Sequence, residues 1–200
     1  MKAVIPVAGA GTRLRPHTYT QPKPLIPVAG KSIISFIIDK LVEVGIKDFV
    51  FVIGYLGEKI KLYVQKEYPN INMEFVQQNS REGSAHAIWT ARKAIEGADE
   101  VFIVFGDVII DVNMEEVLKQ ETSCVVVKKV DDPREFGVVE YGDDGYVTGE
   151  SYASAAAQVD VAAFNQSIVM GANVMGNTVD MNVVGGSFNS NYTGDDSDGM

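Results

Sequence analysis

The chain lacks several features, and each absence removes a class of protein. It has one cysteine, Cys124, so no internal disulfide can form; the residue sits in an apolar run, Ser-Cys-Val-Val-Val, and is expected in the core. No apolar run approaches the ~20 residues needed to span a bilayer, which argues against a membrane protein. The first residues also lack the basic, apolar, small-residue plan of a secretory leader, so a cytoplasmic location is expected. Positive charge is scarce: 17 Lys and Arg against 27 Asp and Glu give a net charge of −10. Nucleic-acid binding needs a basic face that releases counterions, and this balance argues against such a partner. What remains is a globular composition, 46% apolar and 22% charged, over 200 residues. That length suffices for one domain with a sizeable core, or for a domain with an appendage.

Against those absences the opening stretch is rich. Residues 4–28 read Val-Ile-Pro-Val-Ala-Gly-Ala-Gly-Thr-Arg-Leu-Arg-Pro-His-Thr-Tyr-Thr-Gln-Pro-Lys-Pro-Leu-Ile-Pro-Val. A short apolar strand at 3–7 runs into a small-residue loop, Ala8-Gly9-Ala10-Gly11-Thr12. Such a loop lets backbone N–H groups approach a polyphosphate with no Cβ in the way. An acidic protein that binds an anionic nucleotide must concentrate its cations locally, and Arg13, Arg15, Lys23 and Lys31 lie close together in the sequence.

Strand-like and helical runs then alternate. Residues 32–44 carry Ile and Leu at helical spacing, with Ser32 as cap and Gly45 as stop. A buried strand follows at 48–53, a helix at 56–68 ended by Pro69, a third strand at 73–77 and a helix at 84–95. A fourth strand at 100–105, a short helix at 114–120 and a fifth strand at 123–129 complete the series. Repeated βα units with near-continuous apolar strands predict an α/β fold: a Rossmann-like, mostly parallel sheet with helices on both faces. Residues 136–147, with a Gly-Asp-Asp-Gly turn, predict a hairpin.

Beyond residue 148 the composition changes. The first 150 residues hold 22 acidic and 17 basic side chains, and the last fifty hold five acidic and none basic. A domain at 1–148 is therefore expected, followed at 149–200 by an acidic Gly/Asn/Ala-rich segment whose end, 193–200, is expected to be disordered. Val169, Val174, Val179 and Val184 recur every five residues, a period that fits neither helix nor strand. A strand-rich or solenoid-like appendage and loose strands or disorder both remain open.

Glycine loop, Thr-Arg-Leu-Arg-Pro and Pro-Lys-Pro-Leu, in this order and spacing, resemble the signature of the sugar-1-phosphate nucleotidyltransferases, the glucose-1-phosphate thymidylyltransferase-like family. The resemblance implies that a nucleoside triphosphate and a sugar 1-phosphate are the partners, with Mg²⁺ as cofactor. It implies that Ala8, Gly9, Gly11 and Thr12 wrap the nucleotide phosphates. Arg13 would stabilise charge on the α-phosphate and the departing pyrophosphate, and Lys23 would hold the phosphates across the site. The metal ligand would be Asp107, since Val-Phe-Ile-Val-Phe-Gly-Asp puts a carboxylate at the carboxyl end of a buried strand, where doubly wound sheets bind ligands. Gln78-Asn-Ser-Arg-Glu-Gly83 matches the family's base-recognition element, with an amide able to pair with a pyrimidine edge or guanine. His86, on the following helix, reads as a packed surface residue. Pro133-Arg-Glu-Phe-Gly-Val-Val resembles the sugar-binding segment, with Gly137 nearest the sugar.

The match covers residues 1 to about 147. The family's Glu-Lys-Pro element should follow the hairpin, but Glu150 is followed by Ser151. No aspartate in the tail has a strand-end context like that of Asp107, so the fold is expected to be incomplete at its C-terminal side. Its sheet would carry a bare apolar edge unless the tail covers it, and a homo-oligomer is one way to hide such an edge. Alternatives remain open: a truncated or fused relative that binds nucleotide without efficient turnover, a cytidylyl- or guanylyltransferase on another phosphate, or a scaffold whose tail mediates assembly.

Overall fold

A computed structural model describes residues 1–80, 82–120, 122–129, 137–141, 143, 147–152, 162–164, 168–170, 173–175, 178–180, 182–183 and 186–187. The chain opens on β1 (Lys2–Pro6), passes three single-turn 3-10 segments (Thr12–Leu14, His17–Tyr19, Lys23–Leu25) and makes the small ribbon β2 (Pro27–Val28) and β3 (Lys31–Ser32). Then follow α1 (Ile33–Glu43), β4 (Asp48–Ile53), α2 (Gly57–Glu67), β5 (Asn72–Gln77), α3 (Ser84–Thr90), α4 (Arg92–Ile95), β6 (Val101–Val104) and α5 (Met114–Leu118). The strands β7 (Cys124–Val125), β8 (Lys128–Lys129), β9 (Gly137–Tyr141) and β10 (Val147–Tyr152) come next. The tail contributes β11 (Ala162–Phe164), β12 (Ile168–Met170), β13 (Asn173–Met175), β14 (Thr178–Asp180), β15 (Asn182–Val183) and β16 (Gly186–Ser187).

The expected mostly parallel sheet is present, in the order β5-β4-β1-β6-β12-β7. Its first four strands are parallel, Ala3 sitting beside Phe49 on one side and Phe102 on the other. Alternation along the buried strands divides the core in two. Ile5, Phe49, Phe51, Phe102 and Val104 pack with α1, α2 and α5, whereas Val4, Val50, Val52, Val101 and Ile103 pack with α3 and α4. Helices therefore cover both faces, because period-two alternation delivers apolar side chains to each. Burying each fully enclosed phenylalanine stabilises the fold by about 1.5–3 kcal/mol. Phe51 faces Phe75 across β4 and β5 in register, with ring centroids 5.2 Å apart.

The capping expectations hold. Ser32 Oγ accepts from the Ser35 N–H at 3.3 Å, and Gly45 takes φ 91 just past the end of α1. Two expectations need correction. The helix read over 84–95 is broken at Ala91, whose N–H turns back to Ile88 and ends α3 one turn early. The single fifth strand read over 123–129 is two short strands in different sheets, β7 in the main one and β8 in a four-stranded sheet ordered β10-β9-β11-β8. An apolar run shows that a segment can enter a sheet, not which neighbour it will take.

The edge of β6 is covered by the tail: β12 pairs antiparallel with β6, Val169 opposite Ile103, and β7 joins β12 from the other side. The predicted hairpin is formed by β9 and β10, antiparallel, and β10 runs across residue 148 to Tyr152. Cys124 is half-buried in β7, and burial pushes its thiol pKa up. Residues 133–136, most of the Gly-Asp-Asp-Gly turn, and residues 193–200 lie outside the described residues. Among the described residues no helix is long and apolar enough to cross a membrane.

Candidate functional site

Chain order makes a crevice between β1 and β6. From β1 the sheet grows outward through β4 to β5, then the chain crosses back to lay β6 on the other side of β1. Loops leaving the carboxyl ends of two such strands diverge, and an open cleft results. Here the cleft holds about 440 Å³, and Ala8, Gly9, Gly11, Thr12, Arg13, Lys23, Gln78, Gly83 and Asp107 all line it. Those are the residues read from the sequence as the nucleotide and catalytic set. Gly137 begins β9, in the smaller sheet, opposite Tyr152 and Phe164.

The loop after β1 is fixed from below. Gly11 adopts the left-handed conformation at φ 58, and a Cβ there would come within 2.9 Å of Thr18 Cγ2. Thr18, 2% exposed, donates from Oγ1 to the Gly11 carbonyl at 2.8 Å. A larger residue at 11 would push Thr18 away and open the turn. The Gly11 carbonyl is thus engaged, and among the described residues the N–H groups of Gly9, Ala10, Gly11 and Thr12 have no protein acceptor. Unpaired backbone donors lining a cleft form a concavity suited to an anion. The following segment is held by α2 and the turn before it, with Lys59 Nζ donating to Thr20 O at 2.5 Å and Tyr55 Oη to Tyr19 O at 3.1 Å.

Lys23 stands between two buried prolines, Pro22 and Pro24, which stiffen its backbone. Its Nζ donates to Asp107 Oδ2 at 2.6 Å, joining groups 84 positions apart. Asp107 is carried by the turn after β6, where Gly106 allows a very close approach: a Cβ there would lie 2.2 Å from Val7 Cγ1. The two side chains are 33% and 36% exposed, so solvent screens the pair and it contributes only about 0–1 kcal/mol. A ligand cation or anion can therefore displace either partner at small cost. Among the described residues no cluster of three or more His, Cys, Asp or Glu could hold a metal. Asp107 alone suits a hard cation that completes its shell with phosphate oxygens and water.

Not every cation expected at the phosphates goes there. Arg13 lines the cleft, but the Arg15 guanidinium lies 5.2 Å above the Tyr19 ring. Lys31 pairs with Asp39 on α1 and sits over Phe36, so β3 turns it away from the loop. Sequence reasoning missed Thr18, Gly106 and the place of His86. A buried threonine inside an exposed turn carries no periodic signal, and nothing in the run around Gly106 shows how closely its backbone approaches Val7. His86, expected to be a packed surface residue, contacts Gln78, with Nδ1 2.9 Å from Gln78 Nε2. Gln78 itself is buried, and its side chain reaches the cleft from the end of β5.

Comparison with known proteins bears on the family and the fold. The family model described as nucleotidyl transferase matches residues 2–149. The chain is 40% identical over 147 residues to the bifunctional protein GlmU of Methanococcus maripaludis, a match covering 74% of this chain and 34% of that protein. It is 33% identical over 155 residues to the UTP--glucose-1-phosphate uridylyltransferase AglF of Haloferax volcanii, covering 74% and 63%. The chain thus spans about a third of the length of the GlmU relatives it matches. Among solved structures, a putative glucose-1-phosphate thymidylyltransferase from Bacillus anthracis superposes with a TM-score of 0.72 at 24% identity, covering 85% of this chain and 70% of that one. At that identity the likeness speaks for the fold.

Proposed function

The chain belongs to the nucleotidyl transferase family, and from that premise we propose that it transfers a nucleotidyl group from a nucleoside triphosphate to a sugar 1-phosphate. A phosphate oxygen of the sugar phosphate attacks the α-phosphorus, the bond to the β-phosphate oxygen breaks, and pyrophosphate leaves. The nucleophile is already anionic, so no strong base is required, and catalysis rests on positioning and charge neutralisation. The observation that carries the proposal is the cleft, whose lining brings together Gly9, Gly11, Thr12, Arg13, the Lys23–Asp107 pair and Gln78, with the glycine-loop N–H groups unpaired among the described residues.

In this proposal the loop from Ala8 to Thr12 binds the triphosphate through backbone donors. Arg13 and Lys23 answer the charge that builds on the α-phosphate and the departing pyrophosphate. Gln78 and Gly83 receive the base, and Gly137 lies nearest the sugar. Asp107 would hold Mg²⁺, which when bound neutralises phosphate charge. Before binding, Asp107 has Lys23 as its partner, so Lys23 is kept extended over the cleft rather than loose in solvent. A cytoplasmic site of action fits a triphosphate substrate.

A second reading, nucleotide binding without efficient turnover, is favoured by one observation: Ser151 follows Glu150 where the sugar-binding lysine is expected. The two are separated by measuring pyrophosphate release over a matrix of nucleotides and sugar 1-phosphates, alongside nucleotide binding. Release with one pair of substrates supports transfer; binding of nucleotide with no release for any pair supports the second. Asp107→Asn tests the metal role directly, with loss of metal-dependent triphosphate binding and an unchanged melting temperature expected. Wild-type affinity for the metal–triphosphate complex would reduce Asp107 to a turn residue.

A further inference from the structure

The cleft contains a polar arrangement that phosphate binding leaves unused. Gln78 is 8% exposed, and its Nε2 donates to the Gly83 carbonyl at 3.4 Å while lying 2.9 Å from His86 Nδ1. A carboxamide nitrogen offers only donors and a carbonyl oxygen only accepts, so the Gly83 contact fixes which end of the amide is nitrogen. Facing an NH₂ group, Nδ1 of His86 is the acceptor of this contact. Both contacts engage the NH₂ end of Gln78. Among the described residues nothing donates to its Oε1, although the side chain is buried and lines the cleft. A buried acceptor without a partner on the wall of a binding cleft is costly unless a ligand supplies a donor.

We propose that His86 is a positioning residue that holds the Gln78 carbonyl toward the cleft, and that the site consequently takes a base whose ring nitrogen carries a proton. Uracil, thymine and guanine have such an N–H; cytosine and adenine present an acceptor there and would face Oε1 with a lone pair. The inference rests on the nucleotide reading of the cleft and deepens it, because it excludes a cytidylyl-transfer role. The discriminating element is a repulsion as much as an attraction, since the wrong base leaves two buried acceptors opposed. Without His86 the amide loses its stronger anchor and can turn to present NH₂ instead. His86 itself lies on α3, whose small residues Ser84 and Ala87 also line the cleft.

The test measures dissociation constants of the full chain for UTP and CTP with Mg²⁺, in the wild type and in His86→Leu, His86→Ala and His86→Asn. Asparagine places an acceptor where Nδ1 stood and serves as the conservative rescue. The wild type should prefer UTP; leucine or alanine should shrink that preference by about tenfold, the size expected when one buried polar group loses its partner. Asparagine should restore it to within about threefold, and a residue with a merely structural role would move both affinities together. An unchanged UTP-to-CTP ratio in both the leucine and alanine variants, or an asparagine variant no better than they are, would overturn the inference while leaving the nucleotide reading intact. A wild type that binds neither nucleotide would remove both.

Discussion

The two flanks of the main sheet are assembled by different routes. On one flank β1, β4 and β5 follow one another through α1 and α2, each crossover a local unit whose apolar spacing is written in consecutive residues. On the other, the places beyond β6 go to β12, at Ile168–Met170, and β7, at Cys124–Val125, the later strand lying inside the earlier one. The candidate nucleotide site stands where the flanks meet, at the carboxyl ends of β1 and β6. Local crossovers can be completed with little loop-closure cost, whereas β12 must return over a long stretch of chain to find β6. The difference explains why the first flank reads out of the sequence and the second does not.

The largest effect should come from the strand shared by both flanks. Phe102→Ala in β6 removes a fully buried ring from the core shared with α1, α2 and α5 and should cost about 3–5 kcal/mol, measured by denaturant unfolding. A loss below ~1 kcal/mol would mean that this core collapses to fill the space. Deleting residues 151–200 should leave β6 with an unpaired edge and raise self-association, visible as a larger species by light scattering. If the truncated chain stays monomeric at the same concentration, the β6 edge does not need the tail, and the contrast between flanks weakens.

A step smaller, Lys23→Ala or Arg13→Ala should weaken triphosphate binding by ~1.5–3 kcal/mol while nucleoside binding changes little. Equal losses for both ligands would place these side chains away from the phosphates. The smallest effect lies on the well-read flank and appears only in alkali. Tyr68 donates from Oη to Asp39 Oδ1 at 2.8 Å, and burial, then the neighbouring Asp39, raises its pKa above the ordinary 10.0. The folded state therefore keeps a proton that the unfolded chain releases, so stability is complete below about pH 10 and falls as pH rises beyond it. Tyr68→Phe should flatten that alkaline decline, measured as melting temperature against pH; an unaltered slope would assign the decline to other groups.

Particular residues show where legibility stops. Ser32 and Gly45 could be placed at the ends of α1 because caps act on the nearest turn. Asp107 could be placed at a strand end because the strand is a continuous apolar run. Its contact with Lys23 could not be, since nothing in either segment encodes the other. Arg15 and Lys31 show the converse error: neighbours of Arg13 and Lys23 in sequence, they turn to Tyr19 and Asp39 because the intervening turns redirect them. His86 was invisible as a partner of Gln78, because a helix beginning at Ser84 gains its orientation only by packing on the sheet.

The sequence by itself determined the alternation of strands and helices, the glycine loop with its cations, and the order in which the site residues occur. Those properties depend on local spacing, backbone freedom and charge, which neighbouring residues settle among themselves. Tertiary structure decided which strand lies beside β6, that Lys23 meets Asp107, that Thr18 holds the Gly11 turn while Gly106 lets the chain pass close to Val7, and that Gln78 meets His86. Each of those is a choice of partner between distant segments. A hydrogen-bonding strand edge or a charged side chain accepts any complementary neighbour, and only the packed chain brings one of them within reach.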